Sequence, residues 1–259
     1  MLRLPLRLTA DITRARLART LRLVPDASPV QFVDAAEILH HDSNHPVSHE
    51  KIREIISSRS PVVWIGGSEP LHHPGVSHLV RAITQRDHFV FLETDGTLLR
   101  RRIHEFQPVS RFFLTVRLEP GAQGHTSKGL RAGAFELGKE GMRAARLSGF
   151  LICVHAHVHL ETELREMAEL IRFARTLDVD GIVITPANGG ANSATPDAGA
   201  LQRKIADARR LIRSTWWESF SRIVEPVVSA EQYSAPSAQA IDVRVQQEAR
   251  ADEEGVKVA

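Results

Sequence analysis

The 259-residue sequence predicts an α/β fold in which strands and helices alternate along the chain. Short β-branched or aromatic runs recur with amphipathic helical patterns between them, which favours parallel strands joined by right-handed crossovers. One such run, Val62–Ile65, ends in Gly66-Gly67 and then Ser-Glu-Pro. Open and barrel α/β folds place ligands at such strand ends. A partial (β/α) barrel and an open doubly wound sheet both fit the alternation.

Six strands and eight helical segments follow from the periodicity of apolar residues. The predicted strands are Leu4–Ile12, Val62–Ile65, His88–Glu93, Arg111–Leu118, Leu151–Val158 and Gly181–Thr185. The predicted helices are Thr13–Leu23, Phe32–Leu39, Ser48–Ser58, Gly75–Gln85, Leu98–Phe106, Ala134–Leu147, Glu161–Leu177 and Leu201–Val224.

Composition is ordinary for a soluble globular protein, with 42% hydrophobic and 25% charged residues. No apolar run approaches the roughly 20 residues of a membrane span, and we expect no signal peptide. Cys153 is the one cysteine, so an intrachain disulfide is impossible. The expected compartment is the cytoplasm. Nucleic-acid binding is not favoured, because the net charge is only +2 and no aromatic residue accompanies the N-terminal arginines before Phe32.

The domain organisation changes towards the C-terminus. We expect a partial barrel over residues 1–190, and a loop with a C-terminal helix packing on it over 191–228. From about residue 229 the sequence becomes rich in Ser, Ala and Gln and then in mixed charge, which predicts a flexible tail over 229–259.

Several short motifs occur at the ends of the predicted strands. Gly67-Ser68-Glu69-Pro70 follows the second predicted strand, Phe89–Leu99 contains a Thr-Asp-Gly-Thr-Leu-Leu turn, and Leu114–Glu119 reads L-T-V-R-L-E. Asp180-Gly181-Ile182 and Thr185-Pro186 mark the last strand. With these motifs, residues 4–190 resemble the radical S-adenosylmethionine superfamily, and within it the hopanoid-biosynthesis radical enzymes.

The resemblance implies a partial (β/α)6 TIM-like barrel with a small-molecule ligand, S-adenosylmethionine, in its mouth. The positions that match the family's cofactor-binding motifs are Gly66, Gly67, Ser68, Glu69, Thr94, Asp95, Thr115, Arg117 and Thr185.

The sequence departs from the family at its iron–sulfur motif. The family places three cysteines, spaced C-x3-C-x2-C, after a Thr-Arg sequence that matches Thr13-Arg14 here. The three ligand positions then fall on Arg16, Thr20 and Leu23. Arginine is cationic and leucine has no donor atom, so neither binds iron. We therefore expect no 4Fe-4S cluster and no radical chemistry.

The fifth predicted strand reads C-V-H-A-H-V-H and places Cys153, His155, His157 and His159 on one face at period two. Two such histidines lie about 7 Å apart along a strand and can share one metal ion. His155, His157 and His159 therefore predict a zinc or iron site, which Glu69, His72 or His73 could complete. A polar barrel lining without metal explains the same pattern. The loop histidines His40, His41, His45 and His49 could close the site or be solvated.

Three functions remain open on the sequence. The first is a cluster-less binding or regulatory protein that retains S-adenosylmethionine or a nucleotide. The second is an enzyme that uses the barrel mouth for non-radical chemistry, with Glu69 or the histidines of the fifth strand as acid/base groups or as zinc or iron ligands. The third is an interaction subunit that binds a protein partner through Arg14–Arg22 or through the helix with Trp216 and Trp217.

Overall fold

Six parallel strands form the centre of the protein in the computed structural model, which describes residues 6–21, 23, 28–38, 49–120, 130–187, 198–212 and 215–234. The strands are β1 (Val30–Asp34), β2 (Val62–Gly66), β3 (Phe89–Thr94), β4 (Phe112–Leu118), β5 (Leu151–Val158) and β6 (Gly181–Pro186). Their order in the sheet is their order in the chain. A doubly wound sheet would reverse that order at a switch point, so the structure confirms the partial barrel, here a curled half-barrel.

Helices lie between successive strands, before β1 and after β6. They are α1 (Leu6–Thr20), α2 (Ala35–Ile38), α3 (His49–Ser57), α4 (Val76–Thr84), α5 (Leu99–Arg102), α6 (Leu130–Leu147), α7 (Leu164–Thr176), α8 (Ala198–Leu211) and α9 (Thr215–Ser234). Among the residues described, no helix combines the length and the apolar character that crossing a membrane requires.

The prediction for the first strand is wrong. Leu4–Ile12 was expected to be a strand, but Leu6–Thr20 is helix α1, and the first strand is Val30–Asp34. The leucines at alternating positions also fit a helix, since Leu8, Ile12 and Ala15 share one buried face. The true β1 lies inside the segments predicted as a loop and as the helix Phe32–Leu39, and it pairs with β2 from end to end.

Because the first strand begins only at Val30, the three expected cluster positions do not follow a strand. Arg16 and Thr20 lie within α1, and Leu23 is exposed shortly after it. All three precede β1, whereas the family places its cluster ligands after the first strand. Behind β1 come α2 and residues 39–48, where the loop histidines 40, 41 and 45 fall outside the described residues.

The C-terminal helix also differs from the prediction. The single helix expected over Leu201–Val224 is two helices, because α8 ends in a tight turn in which the Ile212 N–H donates to the Arg209 carbonyl at 3.1 Å. An ion pair between Arg209 and Glu225 joins α8 to α9. Helix α9 continues to Ser234, beyond the point where the flexible tail was expected, and residues 235–259 lie outside the described residues.

Helix α9 lies along the open side of the half-barrel and contacts both edge strands, β1 and β6. The Ser221 hydroxyl donates to the Ile182 carbonyl at 3.3 Å and accepts from the Ile184 N–H at 3.2 Å. These two groups belong to the edge of β6, which an uncovered strand would leave without partners. Trp217 packs on Gly181, where it occupies the space that a side chain would need.

Stacked aromatic rings fill the interior of the half-barrel. The centroid of Trp64 lies 5.5 Å from that of Phe91, which lies 4.4 Å from that of Phe113, and both pairs are nearly parallel. Phe220 of α9 packs on Phe91 at 5.0 Å. All of these side chains are buried. They form an apolar layer in the interior. Beyond this layer, towards the carboxyl ends of the strands, the inner face becomes polar.

Candidate metal centre

Three potential metal ligands meet on the inner face at the carboxyl ends of β3 and β5. Glu93 is the next inward-facing residue after Phe91, because side chains alternate along a strand. His155 and His157 are two successive inward-facing residues of β5. Strand β4 lies between the two, and pairs Thr115 with Glu93 on one side and with Cys153 on the other. The curvature of the sheet brings the carboxylate towards the imidazoles.

The three ligand atoms form a small triangle. Glu93 Oε1 lies 3.4 Å from His155 Nδ1 and 3.9 Å from His157 Nε2, and the two nitrogens are 3.3 Å apart. The residues are 2%, 0% and 8% exposed, respectively. A tetrahedral ion with bonds of about 2.0–2.2 Å holds its ligand atoms about 3.3–3.6 Å apart. The triangle therefore has nearly the dimensions of one face of such a site.

Further hydrogen bonds orient the ligands. Trp64 Nε1–H donates to Glu93 Oε2 at 2.8 Å, and His155 Nε2 lies 2.8 Å from the Thr185 hydroxyl. Metal-binding histidines and carboxylates are usually held by such outer partners. The inward-facing atom, Glu93 Oε1, is buried, and no group among the described residues donates a well-formed hydrogen bond to it. His155 Nδ1, at 3.4 Å, would donate to it only in the tautomer that carries a proton on Nδ1. When His155 bears its proton on Nε2, the Nδ1 lone pair faces this oxygen, an arrangement that a cation would stabilise.

Burial and neighbouring charges act on two of the three groups, Glu93 and His157. Burial alone would raise the pKa of Glu93, but the imidazole of His155 and the guanidinium of Arg117 outweigh it and hold that pKa well below the usual range of a carboxyl group. Burial lowers the pKa of His157 well below its ordinary value, and His155 adds to the shift. The carboxylate is therefore ionised and the His157 imidazole neutral at pH 7.

The structure brings together two of the three histidines predicted as ligands. His159 lies just past the end of β5, where its side chain is exposed, and its backbone N–H donates to the Thr162 hydroxyl at 2.9 Å. It does not belong to the triangle. Sequence reasoning missed Glu93, although an acidic residue on the inward face of an otherwise apolar strand was a signal.

Glu69, expected as a cofactor ligand, is engaged within the chain. Its side chain accepts hydrogen bonds from Leu71 N–H at 3.0 Å, from the Thr94 hydroxyl at 2.7 Å and from Asp95 N–H at 2.8 Å. Burial, together with the nearby Asp95 charge, raises the pKa of Glu69 to about 7. The residue thus joins the turn after β2 to the turn after β3.

Close contacts within the protein require glycine at both glycine positions at the end of β2, Gly66 and Gly67. A Cβ on Gly66 would lie 2.9 Å from Glu93 Oε2, and a Cβ on Gly67 would lie 2.5 Å from Asp34 Oδ1. Gly67 also has a φ of +85°, which favours glycine. Ser68 is half-buried beside them.

The remaining residues of the predicted cofactor set divide between two locations. Thr115, Arg117 and Thr185 face the interior near the triangle, whereas Thr94 and Asp95 belong to the Glu69 network. Thr185 contacts His155, and the buried Thr115 hydroxyl has no hydrogen-bond partner among the described residues.

Comparison with known proteins finds distant likeness to solved structures. No family model matches the chain, and no curated protein matches it. A structure of SuiB from Streptococcus suis is 13% identical with a TM-score of 0.46, over 64% of this chain and 40% of that one. Another, of SuiB bound to S-adenosylmethionine, is 12% identical with a TM-score of 0.49, over 78% of this chain and 53% of that one. The chain spans about half the length of these structures or less, and likeness this distant says nothing about its function.

Proposed function

We propose that this protein carries out non-radical, metal-dependent chemistry, with one zinc or iron ion held by Glu93, His155 and His157 at the mouth of the half-barrel. The observation that supports the proposal is the triangle of ligand atoms, 3.3–3.9 Å apart. At one corner stands a buried carboxylate oxygen that makes no hydrogen bond among the described residues. Two imidazoles and one carboxylate are ligands that both zinc and non-haem iron accept.

Three protein ligands, the number that the described residues provide, favour a reactive site over a structural one. Structural zinc is enclosed by four protein ligands, whereas catalytic zinc keeps a position for water or substrate. Such an ion polarises a bound oxygen or lowers the pKa of a bound water. Glu93 and His155 are fully enclosed, so a ligand would approach past His157 and Arg117, whose side chains are 11% and 31% exposed.

The test is metal analysis of protein purified without a histidine tag. We expect close to one equivalent of zinc or iron in the wild type after supplementation, and a large loss in Glu93→Gln and His157→Ala. His159→Ala is the matched control, since it removes an exposed histidine at the end of the same strand and should keep the metal. A metal-free wild type, or equal metal in all variants, would contradict the proposal.

A second candidate is binding of S-adenosylmethionine or a related nucleotide without cluster chemistry. It is supported by the resemblance of the turns after β2 and β3, and by the Glu69 network that holds those two turns together. A ligand that binds the folded state raises its stability in proportion to ln(1 + [L]/Kd). An increase in melting temperature with millimolar S-adenosylmethionine in metal-stripped protein is expected. Its absence would eliminate this candidate and leave the metal proposal intact.

A further inference from the structure

Arg117 lies beside the triangle of ligand atoms on the side that is open to solvent. It pairs with His155 in the sheet and faces inwards like Thr115, two residues earlier. Its Nη1 is 3.6 Å from Glu93 Oε1, close enough for attraction but longer than a hydrogen bond. Among the described residues the guanidinium makes no hydrogen bond, so its N–H donors are available to a ligand.

A bound divalent ion would leave this site with excess positive charge. The ion, the Glu93 carboxylate, the Arg117 guanidinium and two neutral imidazoles sum to two positive charges. Glu93 is the one acidic residue on the inner face of strands β3–β6. Glu69 does not add to this count, because its carboxyl group accepts hydrogen bonds from Thr94 and Asp95 in the turn after β3. Since uncompensated charge in a partly buried site is unfavourable, an incoming anion would be stabilised.

We infer that the ligand of the metal centre is a small oxyanion, a carboxylate or a phosphate, bound between the ion and Arg117. This inference rests on the proposed metal site. A planar guanidinium matches two oxygens of such a group with paired N–H donors, while an ion takes up one oxygen. Thr115 adds, on the same face, a buried hydroxyl that has no hydrogen-bond partner in the part of the chain that the structure describes. Neutral apolar ligands and cations would leave these donors unsatisfied.

The experiment uses the full chain loaded with Co²⁺, whose visible absorption reports on the coordination of the ion. Inorganic phosphate and acetate are titrated as probes of the two oxyanion classes. At least one probe should change the wild-type spectrum in a saturable way. Arg117→Gln should still bind Co²⁺, since Glu93, His155 and His157 are all retained, but should bind that probe at least tenfold more weakly than the wild type does. Arg172→Gln, on the exposed face of α7, is the matched control and should behave as wild type.

The outcomes separate the two proposals. A wild type that binds no Co²⁺ would refute the metal site itself. A wild type that binds Co²⁺ but shows no response to either probe, or the same probe affinity in Arg117→Gln, would refute the oxyanion inference alone. Arg117→Lys keeps the charge without the planar fork, so an intermediate affinity is expected. It also serves as the test if Arg117→Gln does not fold.

Discussion

Replacing Gly181 by alanine should displace helix α9 from the edge of the half-barrel. A Cβ at this position would lie 1.5, 1.7 and 2.1 Å from three ring carbons of Trp217. Carbon atoms that are not bonded approach to about 3.5–4.0 Å, so the indole would have to move by about 2 Å. Trp217 is only 8% exposed, and its movement would disturb the packing of Phe220 beside it.

The size of the effect depends on how far the helix moves. Overpacking that the core absorbs costs about 1–3 kcal/mol, and complete loss of a buried tryptophan contact about 3–5 kcal/mol. We therefore expect the free energy of unfolding to fall by about 3 kcal/mol. Urea unfolding followed by circular dichroism measures this change, and a red shift of native tryptophan fluorescence would report exposure of the indole.

Two controls make the result specific. Gly133→Ala places a Cβ where no atom lies within 4 Å, so it should be neutral or stabilise helix α6 by up to about 1 kcal/mol. Trp217→Leu should relieve part of the clash, which gives a favourable coupling energy of at least about 1 kcal/mol in a double-mutant cycle. If Gly181→Ala is as stable as Gly133→Ala, the placement of α9 against β6 is wrong.

Two further predictions concern buried ionisable groups. Because the pKa of Glu69 is raised from 4.5 to about 7, the folded state binds its proton more tightly, and this group should lower stability progressively as pH rises from about 4.5 to 7. Relative to Glu69→Gln, the wild-type free energy of unfolding should fall by up to about 3 kcal/mol over that interval. If urea unfolding gives a constant difference in free energy between the two proteins from pH 4.5 to pH 7, this prediction is wrong. Burial raises the pKa of the Cys153 thiol far above its ordinary value, so an aromatic disulfide reagent should label it at pH 8 only in denaturant, and rapid labelling of native protein would show that β5 is accessible.

Strands β2 to β6 could be predicted to within two residues of their ends because β-branched and aromatic runs lie between glycine, proline or polar turns. The first strand could not, since alternating leucines before Ile12 fit both periods. Val30–Asp34 is short, and its identity as a strand depends on pairing with β2. Local patterns do not contain that tertiary contact.

The residues of the candidate site likewise divide into those that a local pattern predicts and those that depend on contacts between strands. His155 and His157 follow from period-two alternation within one strand. Glu93 is marked in the sequence as an acidic residue in an otherwise apolar strand, but its proximity to the histidines depends on the register of β3 against β4 and of β4 against β5. Conversely, Glu69 stands in a motif that suggests a ligand, but the structure shows its oxygens accepting hydrogen bonds from two neighbouring turns.

The observed position of the first strand, Val30–Asp34, changes which residues would follow it, but it does not change the number of cysteines in these 259 residues. Arg16, Thr20 and Leu23 no longer occupy the relevant place, yet these 259 residues contain a single cysteine, and it lies in β5. A cluster held by three cysteines of this chain therefore stays excluded by the count, independently of strand assignment. The donors gathered inside the half-barrel are two imidazoles and one carboxylate, which suit zinc or iron without sulfur. They also lie on hydrogen-bonded strands and not on a loop after β1, so the sheet itself would hold them in place before any metal binds.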